Sequence, residues 1–315
     1  MRLLVTGGAG FIGSSIARAL LARGDSVVVL DDFSTGHESN LEGLDGDLTV
    51  ERGDVRDDAL LAKLCRGRDA IFHEAAMVSV PASVEAPRDC DEINVRGTVG
   101  LLEAARQAGV GRFVFAASAA AYGDDPELPK RETMRPSPLS PYAVSKIAGE
   151  HYLKVYAELY GMKTLSLRYF NVFGPRQDPA SAYAAAIPKF VSVLLAGEAP
   201  RIFGDGEQTR DFCYIGNVVH ANLLALECEE ARGQVVNIAD GESITINDLV
   251  AKLAEICGVS GTPEHVAARA GDVKHSRADI AVAQELLGYE PQTSVADGLV
   301  ETVRYFRDLA ADAAS

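Results

Sequence analysis

Three glycines, Gly7, Gly10 and Gly13, mark the passage from a run of branched apolar residues, Leu3–Thr6, into an amphipathic stretch, Ile12–Ala22. A strand that feeds a helix through so tight a turn restricts the architecture around it. Gly7 serves the turn, Gly10 lets a pyrophosphate approach the backbone, and Gly13 lets helix and strand pack closely. The start of that helix, at Phe11 and Ile12, offers unpaired N–H groups and the positive end of a dipole. Asp31 ends the next apolar run, where a carboxylate accepts hydrogen bonds from ribose hydroxyls and repels a 2′-phosphate, so NAD is favoured over NADP. Asp32, Ser34 and Gly36 follow in the same loop and are assigned to the same site. Asp54-Val55 follows a third run and is expected against the adenine ring, with a helix cap as the alternative for Asp54.

The alternation continues. Leu3–Thr6, Ser26–Leu30, Leu48–Arg52, Ala70–Glu74, Arg112–Ala116 and Lys163–Tyr169 read as buried strands. Ile12–Ala22, Ala59–Cys65, Asn94–Ala108 and Tyr142–Tyr160 carry helical periodicity between them. The expected fold is α/β: a doubly wound parallel sheet of Rossmann type, joined by right-handed crossovers, with a smaller α/β C-terminal substrate lobe. After Asn171 the rhythm breaks, and Val172–Tyr183 reads as a loop wrapping a ligand. Ala184–Ala196, Ile244–Cys257, Ala281–Leu287 and Ser294–Leu309 read as helices, Arg201–Phe203 and Val235–Ile238 as strands. The division is 1–171 for the nucleotide-binding domain, with a return of roughly 212–240, and 172–211 with 241–315 for the substrate lobe.

With 315 residues, 47% of them hydrophobic, the chain can bury a substantial core. A net charge of −15 argues against nucleic acid and anionic membranes as partners, and requires local cations around any phosphate ligand. Its first residues run straight into a strand, and no apolar stretch reaches the roughly 20 residues needed to span a bilayer, so a cytoplasmic protein is expected. The five cysteines are scattered without CxxC pairing and the six histidines lack ligand spacing, so no metal site is expected.

Tyr142 and Lys146 lie four apart on one helical face. A tyrosine of pKa about 10 is a poor base at neutral pH. A neighbouring ammonium favours the phenolate, and a positive nicotinamide ring would add to that. Taken alone this pair is a surface ornament; with the nucleotide fold and Ser118 at the end of the fifth strand it becomes a catalytic centre.

These residues, with His73-Glu74-Ala75-Ala76, Asn94, Ala121-Tyr122-Gly123, Arg168 through Gln177, Gly204-Asp205-Gly206, Thr209-Arg210-Asp211-Phe212 and Arg269-Ala270-Gly271-Asp272, resemble the extended short-chain dehydrogenase/reductase family over nearly the whole chain. Within it the chain is similar to the UDP-hexose (UDP-glucose / UDP-N-acetylglucosamine) 4-epimerases. The resemblance implies that Tyr142 takes the proton of the sugar 4-hydroxyl while C4 gives hydride to NAD. Ser118 holds the same oxygen, Lys146 holds the nicotinamide ribose, and a 4-keto sugar turns over before hydride returns to its other face. It places Ala75, Ala76, Asn94 and Tyr169 at the cofactor, and Ser79, Val80 and Ser83 near the sugar. Asn171 and Arg210 are implied at the diphosphate, Arg269 at phosphate, Asp272 at the uridine ribose and Phe203 on uracil. Val78 stands where relatives often carry a lysine. Ala119 and Ala120 replace the Asp-Glu pair of dehydratases, and no extra Glu of the decarboxylating kind is present. A small residue, Ser276, leaves room for an acetamido group, so UDP-GlcNAc/UDP-GalNAc are expected beside UDP-Glc/UDP-Gal. A UDP-uronic acid is an alternative substrate. A non-catalytic NAD-binding sensor is the alternative of another class, disfavoured by the intact Ser118/Tyr142/Lys146 set. Apolar positions Val99, Leu101, Leu102, Tyr152, Leu153, Val155 and Tyr156 suggest, by the same resemblance, a homodimer through two helices of each subunit.

Overall fold

The computed structural model describes residues 1–179, 186–260, 262–268 and 274–312. In chain order the strands are β1 (Arg2–Thr6), β2 (Ser26–Asp31), β3 (Leu48–Arg52), β4 (Ala70–His73), β5 (Arg112–Ser118), β6 (Lys163–Tyr169), β7 (Asn171–Phe173), β8 (Arg201–Phe203), β9 (Thr209–Arg210), β10 (Phe212–Tyr214), β11 (Gln234–Ile238), β12 (Ile244–Thr245) and β13 (Glu264–Val266). The helices are α1 (Phe11–Ala22), α2 (Asp58–Cys65), α3 (Val80–Glu85), α4 (Pro87–Asp91), α5 (Gly97–Ala108), α6 (Pro141–Tyr160), α7 (Ala186–Leu195), α8 (Ile215–Glu227), α9 (Ile246–Cys257), α10 (Ala281–Leu287) and α11 (Val295–Asp312).

Seven parallel strands form one sheet in the order β11-β6-β5-β4-β1-β2-β3. The winding reverses between β1 and β4, the switch point where such sheets open a crevice at their strand C-termini. Alternate strand residues feed opposite faces. Leu3, Val5, Val27, Val29 and Phe72 pack on α1, α8 and α10, whereas Leu4, Val28, Ile71, Phe113 and Phe115 pack on α2, α5 and α6. β3 departs from the expected burial: it is the sheet edge, and Val50 is 44% exposed. Its charged Glu51 and Arg52 suit an unpaired edge.

A second core gathers Phe173, Ile187, Phe190, Ile202, Phe212, Leu249, Leu253, Leu299 and Phe306 from β7, β8, β10, α7, α9 and α11. α8 and β11 return to the sheet, and so does α10, whose Ala283 and Leu287 join the sheet-side core. Several elements differ from the sequence expectation. Val172 and Phe173 belong to β7 rather than to a loop, and Ile244–Thr245 pairs with β9 before Thr245 caps α9. α3, α4 and α8 were not anticipated, and between α4 and α5 the helix passes through a π turn, Glu92–Arg96. Residues 180–185, where the expected ligand loop runs into the helix beginning at Ala184, lie outside the described residues.

Candidate active site

The crevice between β1 and β4 is shaped by missing side chains. A Cβ on Gly7, whose φ is +67°, would lie 2.6 Å from the Ala75 nitrogen, and one on Gly13 would lie 2.2 Å from the Gly7 oxygen. At Gly10 the chain itself demands less: an added Cβ would meet only the Gly7 oxygen, at 3.2 Å. Gly10 caps α1 without any side-chain hydrogen bond, so the first N–H groups at Phe11 and Ile12 are left for a ligand. This is the cradle a pyrophosphate needs.

Asp31 stands at the end of β2. Its two oxygens accept from the Ala9 and Phe33 backbone N–H groups, each at 2.8 Å, which fixes the carboxylate and leaves a lone pair on each for ribose hydroxyls. Burial pushes its pKa up against those two donors. A Cβ on Gly36 would lie 2.9 Å from Asp31 Oδ1, so that glycine keeps the approach open. Asp32 is occupied locally, accepting from the Ser34 N–H and hydroxyl. Asp54 is gripped by Arg56, with Nε at 2.9 Å and Nη2 at 2.5 Å, and this pairing holds its carboxyl below the usual range. The alternative of a helix cap is corrected here: Asp57 caps α2, accepting from the Leu60 N–H. Val55 is buried against Gly97.

Asn94 sits in the π turn and clamps the loop after β4 from both sides. Its Oδ1 accepts from the Met77 N–H at 2.7 Å, and its Nδ2 donates to the Met77 carbonyl at 3.1 Å and to Ser145 Oγ at 2.9 Å. Ser145 in turn donates to the Tyr142 carbonyl at 2.8 Å. A π turn is a frequent mark of functional positions, and here it ties the Ala75–Met77 loop to α6. Behind it, Thr98 Oγ1 donates to the Asn94 carbonyl and therefore accepts from His73 Nε2, which leaves His73 Nδ1 to accept from Thr6 Oγ1 at 2.7 Å. The ring carries its proton on Nε2, and burial, with Lys146 adding, pushes its pKa down to about 3.

Ser118, Tyr142 and Lys146 lie at the C-terminal end of β5 and the start of α6. Ser140 caps α6 and Pro141 opens it, so Tyr142 and Lys146 project from its first turns. Ser118 ends β5, accepts from the Ala120 N–H at 3.2 Å, and is near enough to Tyr142 to draw the phenol's pKa down. Ser83 accepts from the Tyr142 N–H at 3.2 Å, anchoring α3 to the helix start. Lys146 is 3% exposed; its Nζ donates to the Ala116 carbonyl at 2.8 Å and lies 5.9 Å from the Tyr142 ring centroid.

In the chain alone burial raises the Tyr142 pKa, and Ser118 is the group that pulls it down. Lys146 is itself shifted down by burial, against the pull of Glu74.

On the far side of the crevice, Ser79 caps α3, accepting from the Ala82 N–H, while Val80 and Val78 are exposed. Asn171 donates through Nδ2 to the Asp211 carbonyl at 2.9 Å, and Arg210 donates to the Thr209 and Lys274 carbonyls. The Ser276 N–H donates to the Thr209 carbonyl at 3.1 Å, so Asn171, Arg210 and Ser276 are brought to one edge of the lobe. Phe203 is half-buried in β8. Arg269 and Asp272 lie outside the described residues.

Sequence reasoning assigned no role to several residues of this site. Asp211 is fully buried and accepts three backbone N–H groups, from Asp240, Gly241 and Ala278; burial pushes it up to about 7. Tyr169, expected at the cofactor, donates to Glu74 at 3.1 Å and accepts from Asn222 at 2.8 Å. Their only sequence signal was that Glu74 and Asp211 lie inside motifs already noted. Among the described residues no cluster of His, Cys, Asp or Glu could hold a metal ion, and no helix is long and apolar enough to cross a membrane.

A glycine cradle at the switch point, with a Ser–Tyr–Lys cluster at the next strand ends, defines a nicotinamide-dependent enzyme of the short-chain dehydrogenase/reductase type. The sequence profile of the NAD dependent epimerase/dehydratase family matches residues 3–239, and the chain belongs to that family. It is 41% identical to a UDP-glucose 4-epimerase of Mycolicibacterium smegmatis, over 98% of this chain and 99% of the relative. Among solved structures it is similar to a UDP-N-acetylglucosamine 4-epimerase from Methanobrevibacter ruminantium in complex with UDP-N-acetylmuramic acid, with a TM-score of 0.94, 40% identity and coverage of 98% of both chains. It is also similar to the UDP-glucose 4-epimerase of Thermus thermophilus in complex with NAD, with a TM-score of 0.88, 39% identity and coverage of 98% and 99%.

Proposed function

We propose that this chain is an NAD-dependent isomerase that inverts C4 of UDP-hexoses, UDP-Glc/UDP-Gal and their N-acetylated counterparts. The observation that carries this reading is Tyr142 with its ring centroid 5.9 Å from the ammonium of a buried Lys146 and Ser118 at the adjoining strand end, with alanines at 119 and 120 where elimination would need an acid and a base. Tyr142 takes and returns the proton of the 4-hydroxyl, Ser118 steadies that oxygen, and Lys146 presents its ammonium from beneath. NAD, when bound, supplies the hydride acceptor and a positively charged ring beside the tyrosine. The glycine cradle, Asp31 and Gly36 hold the dinucleotide. Asn171, Arg210 and Ser276, with Arg269, Asp272 and Phe203, receive the nucleotide sugar; guanidinium groups supply the cations that a chain of net charge −15 otherwise lacks. The sheet-side part, 1–171 with roughly 212–240, takes the cofactor, and 172–211 with 241–315 takes the UDP-sugar. The five cysteines are all unpaired, which suits a cytoplasmic setting.

Separate incubations with UDP-Glc, UDP-GlcNAc and their uronic forms, without added NAD, test the reading: C4 inversion identifies the substrate and a retained cofactor together. Inversion of a uronic form alone would move the substrate class, and no inversion of any would remove the function. In the same assay Ser276→Tyr suppresses the N-acetylated substrates selectively, by filling the space beside the C2 substituent. Equal loss for both sugar types refutes the gatekeeper role.

We further propose a homodimer through α5 and α6. Four of the residues named from sequence are corrected: Leu101, Leu102, Leu153 and Tyr156 belong to this chain's own core. The outward stripe on α6 keeps Tyr152 and Val155 and adds Val144 and Leu159, the last 68% exposed. Apolar side chains at these helical spacings are costly to leave in water. Val155→Glu with Leu159→Glu should halve the particle mass by light scattering. A wild-type monomer, or a variant of unchanged mass, would dismiss the interface.

A further inference from the structure

Two arginines come together on the flank of α1, and no acid among the described residues hydrogen-bonds to either. α1 carries Ser15 and Arg18 three residues apart, hence on one helical face. Ser15 Oγ donates to the Phe11 carbonyl at 2.8 Å and accepts from Arg176 Nη2 at 3.4 Å. Arg176 reaches it from the turn after β7, so its guanidinium lies against the face that bears Arg18. That turn is held from both sides. Gln177 Nε2 donates to the Val172 carbonyl at 3.1 Å, and a Cβ on Gly174 would lie 2.4 Å from Ile215 Cγ2, so the turn sits directly on the start of α8. Arg176 itself has a φ of +68°, a left-handed backbone that is costly for any residue with a side chain and recurs at ligand clamps. The Nε atoms of Arg18 and Arg176 are both buried, and neither has a hydrogen-bond partner among the described residues. Buried N–H groups are nearly always paired. These two stay unpaired in a chain whose acidic residues outnumber its basic ones 45 to 30. Burial, and after it the Arg18 charge, pushes the Arg176 pKa down, as two like charges drawn together out of water require.

We propose that Arg18 and Arg176 form a binding site for a small oxyanion of the phosphate type, on the flank of α1 and separate from the cofactor cradle. The separation follows from the helix. Arg18 lies about 10 Å along the axis from Phe11, whereas the cradle is made by the first N–H groups. The charge selects the ligand. A phosphate group at neutral pH carries about −1.5 to −2 charges and nearly cancels the pair, where a carboxylate cancels only one guanidinium. The planar forks of N–H donors also suit an anion that offers several oxygens at once. Free phosphate and the phosphate of a monoester share this chemistry. The site joins both parts of the molecule: α1 packs on the sheet, while the turn of Arg176 follows Phe173, which belongs to the second core. An anion held there ties the two parts together, so its binding should register as stability of the folded chain.

Thermal unfolding of the NAD-loaded protein, with UDP present in every sample to fill the nucleotide-sugar site, tests the proposal. Inorganic phosphate should raise Tm by about 3 °C over chloride of equal ionic strength, and the rise should saturate. Glycerol 3-phosphate separates the two sources: a rise with it as well extends the site to phosphate esters, and a rise with inorganic phosphate alone confines it to the free ion. Arg18→Gln, a change that helices tolerate well, should abolish the phosphate increment, and so should Arg176→Gln. Arg18→Glu sets a carboxylate beside Arg176; it should raise Tm in chloride and leave nothing for phosphate to add. Equilibrium dialysis with labelled phosphate should find a saturable site in the parent that Arg18→Gln lacks. A rise that grows in proportion to concentration and persists in Arg18→Gln is salt exclusion and overturns the proposal. An Arg18→Glu protein with a lower Tm in chloride overturns it too, since the two side chains would then not face each other. Loss of the UDP-sugar assignment would leave the comparison standing, because parent and variants carry the same nucleotides.

Discussion

Tyr142→Phe should yield a folded protein that retains NAD and turns over UDP-sugars about 10²–10⁴-fold more slowly, the range expected for loss of a positioned acid–base group. The fold survives because the ring stays over Lys146, Ser83 accepts from the Tyr142 N–H, Ser145 donates to the Tyr142 carbonyl and Ser140 caps the helix at the Ala143 N–H, none of which needs the hydroxyl. Cofactor retention survives because the cradle at Gly7–Gly13 and the Asp31 clamp lie on other elements. The expected loss is in kcat more than in KM, since the hydroxyl acts chiefly on the reacting oxygen. The variant has no ionisable group at this position, so its residual rate should not recover with modest rises in pH. Steady-state kinetics beside the NAD content released on denaturation check the point. Residual turnover within a few-fold of the parent would take the proton transfer away from this residue.

What was legible in the sequence is what chemistry places at short spacing. The glycine turn, the acid at the end of β2 and the Tyr142/Lys146 pair each follow from local geometry, because strand period and helix period fix which side chains share a place. What stayed hidden are the partners across the sheet. Glu74 meets Tyr169 across 95 positions, and Tyr169 meets Asn222 across 53; no local pattern marks such pairs. The same holds for Asp211, whose three amide donors come from residues 29, 30 and 67 positions away. The π turn around Asn94 is hidden in the expected helix Asn94–Ala108 because only its first residues, up to Arg96, fall in the π turn and regular α-helical spacing holds from Gly97 on. Leu48–Arg52 was read as buried because β propensity does not tell an edge from a centre. Only strand order does, and strand order is a property of the assembled sheet.

Glu150→Gln should cost about 3–5 kcal/mol of stability, the penalty of leaving a buried charge without its partner. Glu150 and Arg168 are 4% and 2% exposed, and they meet in a fork, Nε to Oε1 and Nη2 to Oε2, both at 2.7 Å. The guanidinium also lies 4.7 Å from the Tyr122 ring, while its Nη1 has no hydrogen-bond partner among the described residues, so no other acceptor stands ready to compensate. Glutamine matches the shape of glutamate but turns a donor toward a donor and leaves the cation uncancelled. Domains have about 5–15 kcal/mol of stability in total, so this one atom exchange should show as a large drop in the urea midpoint. The apolar double replacement, Glu150→Leu with Arg168→Met, should destabilise less than either single change, because it removes both desolvation penalties together. The pair also matters to the site. Glu150 lies one turn beyond Lys146 on α6, and Arg168 precedes Tyr169 on β6, so the fork pins the helix that carries Tyr142 and Lys146 to the strand that carries Tyr169. A Glu150→Gln protein whose stability stays within about 0.5 kcal/mol of the parent would mean that water or a shifted neighbour reaches Arg168, and that the helix is held by its apolar face alone.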